Sequence, residues 1–474
     1  MLHLSKNKKL ITTLTFLFII FLFSCQNKEK DSDTSDNSTL NEIKKRGKII
    51  ASTECNSTNY FIYKGQPMGY QYELLKLLAK HLNVKLELIV SNDLGKNFKW
   101  LLNKKCDLIA LDLTVTQERS KIVDFTKPYS QTRQVLVQRR YALDGQKMSK
   151  NHLIRSQLDL AGKKIYIQKK SSFSERLKNL SEEIGDSIYV IESSEYDEEQ
   201  LISLVAKGEI DYTVCDEHIA LVNKTYYPNI DIKTPVSFHQ NLAWALRKNQ
   251  DSLMLVINDW ITDLKKTRKY KGIYNKYFKN KRSVRIVNSE FYSIKGGKIS
   301  PYDDYLKKYS KLINWDWRLL ASLMFQESGF DSKAKSWAEA YGLMQLMPFT
   351  AQEYGIDTLS LPEENILAGV KFIRQLDKQL SDKIDDRQER IKFVLASYNA
   401  GLGHILDARR LAKKYDKNPD IWADNVEIFL LKKSNRKFYT DTVVRCGYCR
   451  GEETYKFVNE ILERYQNYKN IIKE

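Results

Sequence analysis

In the run WDWRLLASLMFQESGF, residues 315–330, one carboxylate stands where an apolar side chain would fit. Leu320, Leu323, Met324 and Glu327 follow at i, i+3, i+4 and i+7, so Glu327 continues the apolar stripe of a helix that Asp316 is suited to cap. Burial takes water from that carboxylate, and the negative end of the helix dipole lies beside it. Both effects favour the neutral acid. A carboxylic acid still protonated at pH 7 is what proton transfer to a glycosidic oxygen requires. Taken alone, a Glu at a helix end more often faces solvent, so this reading depends on its surroundings.

The elements that must position such residues divide the chain. Residues 47–140 alternate strand-like and helix-like patterns: GKIIAST, then YELLKLLAKHLN, then VKLELIV and CDLIALDL. This βαβ order predicts a parallel sheet with a site at the strand C-termini. The basic segment 279–304 has little pattern and reads as linker, and beyond it the chain is helical. At 474 residues the chain is too long for one core.

The net charge of +18 favours an acidic partner: nucleic acid, anionic lipid or cell wall. The N-terminus chooses among them. Lys6, Lys8 and Lys9 precede the apolar run 10–24, which is short for a membrane span and ends at Ser24-Cys25. This pattern resembles a bacterial lipoprotein signal, which implies a signal peptide over 1–24, acylation of the Cys25 thiol and a polar tether over 25–40. Export argues against nucleic acid. Cys446-Gly447-Tyr448-Cys449 has CxxC spacing without a second pair, so a local disulfide or two packed thiols is expected and a metal site is not.

The segments GYQYELLKLLAKHL and CDLIALDLTVTQERSKIVDFTKPYSQTRQVLVQ resemble the family-3 extracellular solute-binding proteins. The resemblance implies a two-lobed α/β periplasmic-binding-protein fold over 41–278, with lobe one at about 41–140 and 237–278 and lobe two at about 141–236. It also implies that Thr114 and Arg119 hold a ligand carboxylate, which a guanidinium fork grips with two charge-assisted bonds. Ser172, beside Ser171, lies at the turn closing over the ligand, and Asp216 pairs with its ammonium. The ligand implied is an amino acid or a muropeptide-derived piece. Asp112 replaces the family's usual Gly, and Gln168 its frequent Lys. Tyr60 and Phe61 are candidates for an aromatic lid.

Four motifs in order, Glu327-Ser328, Gly342-Leu343-Met344-Gln345, Ser397-Tyr398-Asn399-Ala400-Gly401 and the late Tyr455, resemble the family-1 lytic transglycosylases. That implies an all-α lysozyme-like domain over 301–474, joined by a linker over 279–300. By that resemblance Glu327 is the single catalytic acid and base on peptidoglycan glycan strands, and no cofactor is required. Ser328 would orient the acid or bond an N-acetyl group, Gly342 admit a sugar close to the backbone, and Met344 form an apolar wall. Gln345 would bond sugar amides. Tyr398 and Asn399 would face the cleft, and Tyr455 would bond Glu327 or the sugar. Trp315, Trp317, Trp337 and Trp422 are candidates to stack on sugars or to fill core and rim. Glu339, where the family usually has Gly, is either a surface change or a second carboxylate suited to hydrolysis. The order of anchor, binding domain and catalytic domain implies an enzyme lipid-anchored to the outer membrane on its periplasmic side.

Overall fold

The computed structural model describes residues 36–140, 153–279, 286, 289–293 and 297–473. The segment 1–24 and Cys25 lie outside the described residues. Part of the expected tether is ordered, since Asp36–Arg46 forms a helix that buries Ile43 and ends on Lys44, Lys45 and Arg46. Those cations suit the negative end of its dipole. Among its described side chains Leu40 and Ile43 mark the buried side, too few for periodicity to reveal.

Two sheets follow. The first runs Lys85–Val90, Lys48–Thr53, Leu108–Thr114, Gln240–Leu246 and Asp124–Phe125, with Ser130–Thr132 also paired to Gln240–Leu246. The second runs Tyr189–Ser193, Lys164–Gln168, Thr213–Asp216, Gln134–Arg139 and Ile230–Pro235. Both are mixed where a parallel sheet was expected. The strands of the βαβ units are parallel, but the two crossings between lobes each deliver an antiparallel strand. The first crossing comes at Arg133. Gln134–Arg139, expected in lobe one, therefore belongs to lobe two, where it pairs with Thr213–Asp216 and Ile230–Pro235. Its apolar residues suit either sheet, and pairing alone decides between them.

The segment expected as linker is partly built into the fold. Tyr292 is buried, Lys64 N–H donates to Phe291 O at 3.2 Å, and Ile62 N–H donates to Ser293 Oγ at 2.9 Å. It braces the hairpin of Phe61–Tyr63 and Gln66–Met68.

From Asp303 onward the domain is helical. Trp317–Ser328 is its central helix, packed against the long C-terminal helix Gly451–Ile471. Residues 318–324 are all buried, so the expected one-sided stripe is a helix surrounded on all sides. Its polar members are satisfied: Arg318 pairs with Asp316 and donates to Ile472 O at 2.6 Å, and Ser322 donates to Ile461 O at 2.7 Å.

Candidate functional site

Asp316 caps the central helix by accepting from Arg318 N–H at 2.9 Å, and Gly329, at φ 60°, ends it. Glu327 sits in the last turn. Among the described residues nothing donates to its carboxylate and no cation pairs with it. Burial alone pushes its pKa up to about 8. The proton is thus held by the absence of water rather than by a neighbour.

Tyr398 stands beside it. Burial, and then the Glu327 charge, holds this phenol well above its ordinary range, so it stays a donor. Its hydroxyl donates to Met344 O at 2.6 Å. The loop supplying that carbonyl is pinned by Asn365, whose Oδ1 accepts from Met344 N–H at 2.8 Å. Gln345, at φ 43°, donates Nε2 to Ala334 O and Gly342 O at 3.0 and 2.9 Å. Asn399 is exposed and accepts from Thr454 Oγ1 at 2.7 Å.

Several expected roles change. Met344 is fully buried against Gly369, so it is core and its carbonyl, not its side chain, serves the site. Gly342 is required by Asn365: at φ 78° a Cβ would lie 2.4 Å from Asn365 Nδ2. The close approach there is made by the protein itself. Ser328 donates to Met324 O at 3.1 Å, within its own helix. The charges that bear on Tyr455 are those of Glu427 and Asp424, not of Glu327. Trp315 and Trp422 are core, Lys307 covers Trp317 at 4.8 Å, and Trp337 is exposed. Glu339, at φ 68°, is exposed and lies 3.8 Å from Lys335 on a surface loop. Its backbone keeps the conformation a Gly would favour. Cys446 and Cys449 are free thiols.

In the binding domain the predicted residues converge at strand ends. Thr114 ends Leu108–Thr114, Asp216 ends Thr213–Asp216, and both line one cavity with Arg119, Ser171 and Ser172. Arg119 Nη1 donates to Thr114 O at 3.0 Å and Nη2 to Lys170 O at 3.4 Å. Gln134 Nε2 donates to Ser172 Oγ at 3.3 Å. Burial lifts Asp216 to about 7, against the pull of His218. The lobes are closed on each other: Gln168 Nε2 donates to Asn92 O at 3.0 Å, Asn92 Nδ2 to Asp197 Oδ2 at 2.8 Å, and Ser57 N–H to Glu199 Oε2 at 3.0 Å.

Both departures from the solute-binding pattern take part in this closure. Asp112 Oδ2 of lobe one lies 3.1 Å from His218 Nε2 of lobe two, and Gln168 makes the bond to Asn92. Tyr60 and Phe61 form no lid. Tyr60 is buried and donates to Asn467 Oδ1 of the helical domain at 2.6 Å, while Phe61 packs on Tyr277 and Tyr292. Glu54 and Glu198 also line the cavity, and no motif signals them. Their only mark in the sequence is position, immediately after the strand Lys48–Thr53 and at the head of the helix Glu198–Lys207.

A two-lobed solute-binding domain, closed over a polar cavity, is thus joined to a helical domain carrying one isolated, half-buried acid. Family models match each half: bacterial extracellular solute-binding proteins, family 3, over residues 48–280, and the transglycosylase SLT domain over residues 304–421. Two proteins named membrane-bound lytic murein transglycosylase F are similar along most of the chain. That of Desulfosudis oleivorans is 34% identical over 90% of this chain and 91% of its own. That of Saccharophagus degradans is 33% identical over 92% and 83%. A solved structure, a mutant of ArgBP from T. maritima, is 26% identical over 51% of this chain and 99% of its own, with a TM-score of 0.44. The chain belongs to the membrane-bound lytic murein transglycosylase F family of enzymes.

Proposed function

We propose that the helical domain cuts peptidoglycan between N-acetylmuramic acid and N-acetylglucosamine and leaves a 1,6-anhydro end. Glu327 gives its proton to the bridging oxygen as the bond breaks. Assisted by the sugar's acetamido group, the same carboxylate, now ionised, takes the proton of the 6-hydroxyl as the ring closes. The observation that carries this reading is the solitude of Glu327, raised to about 8 by burial alone. A group poised there changes protonation in both directions near neutral pH. Ser328, Gln345, Tyr398, Asn399 and Tyr455 are assigned to holding the glycan. The exposure of Glu339 disfavours a second catalytic carboxylate and hence a hydrolytic reaction. Mass spectrometry of murein digested by wild type and by Glu327→Gln tests the reading. Anhydro ends from wild type and none from the variant are expected; reducing ends from wild type would overturn it.

Two further assignments belong here. Acylated Cys25 tethers the enzyme to the outer membrane, facing the periplasm. The binding domain takes an amino acid or wall-peptide fragment through Thr114, Arg119, Ser172 and Asp216 and thereby gates the catalytic domain. Support for gating comes from the hairpin turn at Gly65, whose carbonyl accepts from Tyr468 at 2.7 Å and where a Cβ would collide with Phe330 and Phe325, three residues after and two before Glu327 in the chain. A ligand gates only by binding one arrangement better than another. If Arg119→Ala abolished ligand binding and yet wild type and variant released murein equally, both with and without ligand, gating would be excluded.

A further inference from the structure

We propose that the cavity between the lobes selects an amino acid whose side chain carries a second positive charge, held by Glu54 and Glu198. The inference rests on the reading of Thr114, Arg119 and Asp216 as the seat of an α-amino acid, and it concerns a subsite beyond that seat.

Charge inside the cavity is the starting point. Its wall contains Glu54, Asp112, Glu198 and Asp216, against Arg119 alone. Asp112 is accounted for by His218 across the lobe interface. An α-carboxylate meets Arg119 and an α-ammonium meets Asp216, so a zwitterion with an apolar side chain leaves Glu54 and Glu198 unmatched. Among the described residues no Lys or Arg pairs with either of them. Glu54 Oε1 accepts from Asn56 and Asn59 amides at 2.8 and 2.7 Å, and Glu198 Oε2 accepts only a long 3.5 Å contact from Asp216 N–H. Amide donors orient a carboxylate without neutralising it.

A second observation points to a ligand. Asp216 is 3% exposed, and its Oδ1 is buried without a hydrogen-bond partner, as is Ser171 Oγ on the same wall. Buried polar atoms are normally satisfied, so an orphaned carboxylate oxygen facing a cavity marks a place kept for a donor. Burial first, and then the charge of Asp112 on Glu54 and of Asp216 and Glu54 on Glu198, pushes both carboxyls up, Glu54 to about 8 and Glu198 well above its ordinary range, so at neutral pH both hold their protons until a cation pairs with them. An ammonium or guanidinium placed against these two carboxyls favours their ionised forms and pairs with them, whereas an alkyl side chain would leave both buried without a charged partner.

Calorimetric titration of the full-length chain with L-lysine, L-arginine and uncharged L-norleucine tests the proposal. At least one basic amino acid is expected to bind about tenfold or more tightly than norleucine, the size of one charge-assisted hydrogen bond. Glu54→Gln and Glu198→Gln, checked for folding by circular dichroism, should each erode that advantage by weakening binding of the basic amino acid. Norleucine binding as tightly as both basic amino acids, or an advantage that survives both substitutions, overturns the second-charge proposal alone. Failure of all three to bind overturns it together with the α-amino-acid reading beneath it.

Discussion

Glu327 and Asp216 are both carboxylates lifted by burial, to about 8 and about 7, yet their surroundings are opposite. Among the described residues Glu327 has no charged partner, and its charge bears on the phenol of Tyr398. Asp216 sits among His218, Asp112 and Arg119, where each charge depends on the others. An isolated acid suits proton transfer, because the free energy of ionisation is spent on the reaction. A crowded one suits recognition, because a ligand's charge completes the set. One chain thus uses the same side-chain chemistry for two purposes, and desolvation with or without company sets them apart.

That contrast breaks first at Glu327. Glu327→Gln should lower glycan cleavage by roughly a thousandfold, the scale of general acid–base catalysis. In wild type, cleavage should fall as pH rises through about 8, where the acid form is lost. Murein release followed from pH 5 to 9 reads both, and a flat profile would refute the isolated acid. The same substitution should raise stability at neutral pH. A carboxyl whose folded pKa is raised binds protons more tightly folded than unfolded, so its contribution is lost as pH rises through the folded value.

The link between the two regions is the next target. Gly65 has φ 77°, and a Cβ there would lie 2.5 Å from Phe330 and 2.7 Å from Phe325. Gly65→Val should cost about 1–3 kcal/mol by overpacking and strain and should displace the ring pair beside Glu327. Loss of cleavage with intact amino-acid binding, measured on one preparation, is expected. Unchanged cleavage would separate the two regions.

A smaller effect sharpens the crowded site. Burial acts against the charges of both Asp112 and His218, but their mutual attraction and hydrogen bond leave the first lowered and the second raised. Stabilisation from the raised His is complete below its unfolded value, about 6.5, and is lost as pH climbs through the folded one. That from the lowered Asp holds above about 3.9 and is lost as pH falls through its folded value. The melting-temperature gap between wild type and Asp112→Asn should therefore be widest between about pH 4 and 6.5 and narrow on the alkaline side. The smallest change is expected for Glu339→Gly. Relief of the left-handed backbone and loss of an exposed ion pair should leave stability within about 1 kcal/mol and product ends unaltered. A switch in product ends would make Glu339 a partner of Glu327.

Much of the site was legible because its chemistry is local in sequence. Glu327 shows in its own helix, at the end of an apolar run, while Thr114 and Asp216, which end strands, and Arg119, in the short helix Gln117–Ile122, were singled out by the resemblance to solute-binding proteins. Met344 and Gly342 were misjudged because spacing identifies a loop without saying which of its atoms faces outward. Asn365, which pins that loop, carries no local signal. Glu54 and Glu198 lie 144 positions apart by number and meet only when the lobes close.

By itself the sequence determined the residue types, the helical register of Glu327, the βαβ order and the succession of two domains. These follow from propensity and periodicity, which act over a few turns or strands. Tertiary structure alone decided which strand joined which lobe, that Asp112 meets His218, and that Tyr60 reaches Asn467 across 407 positions to dock one domain on the other. Such contacts depend on how desolvated surfaces fit once the chain has closed on itself, and no short-range pattern encodes that fit.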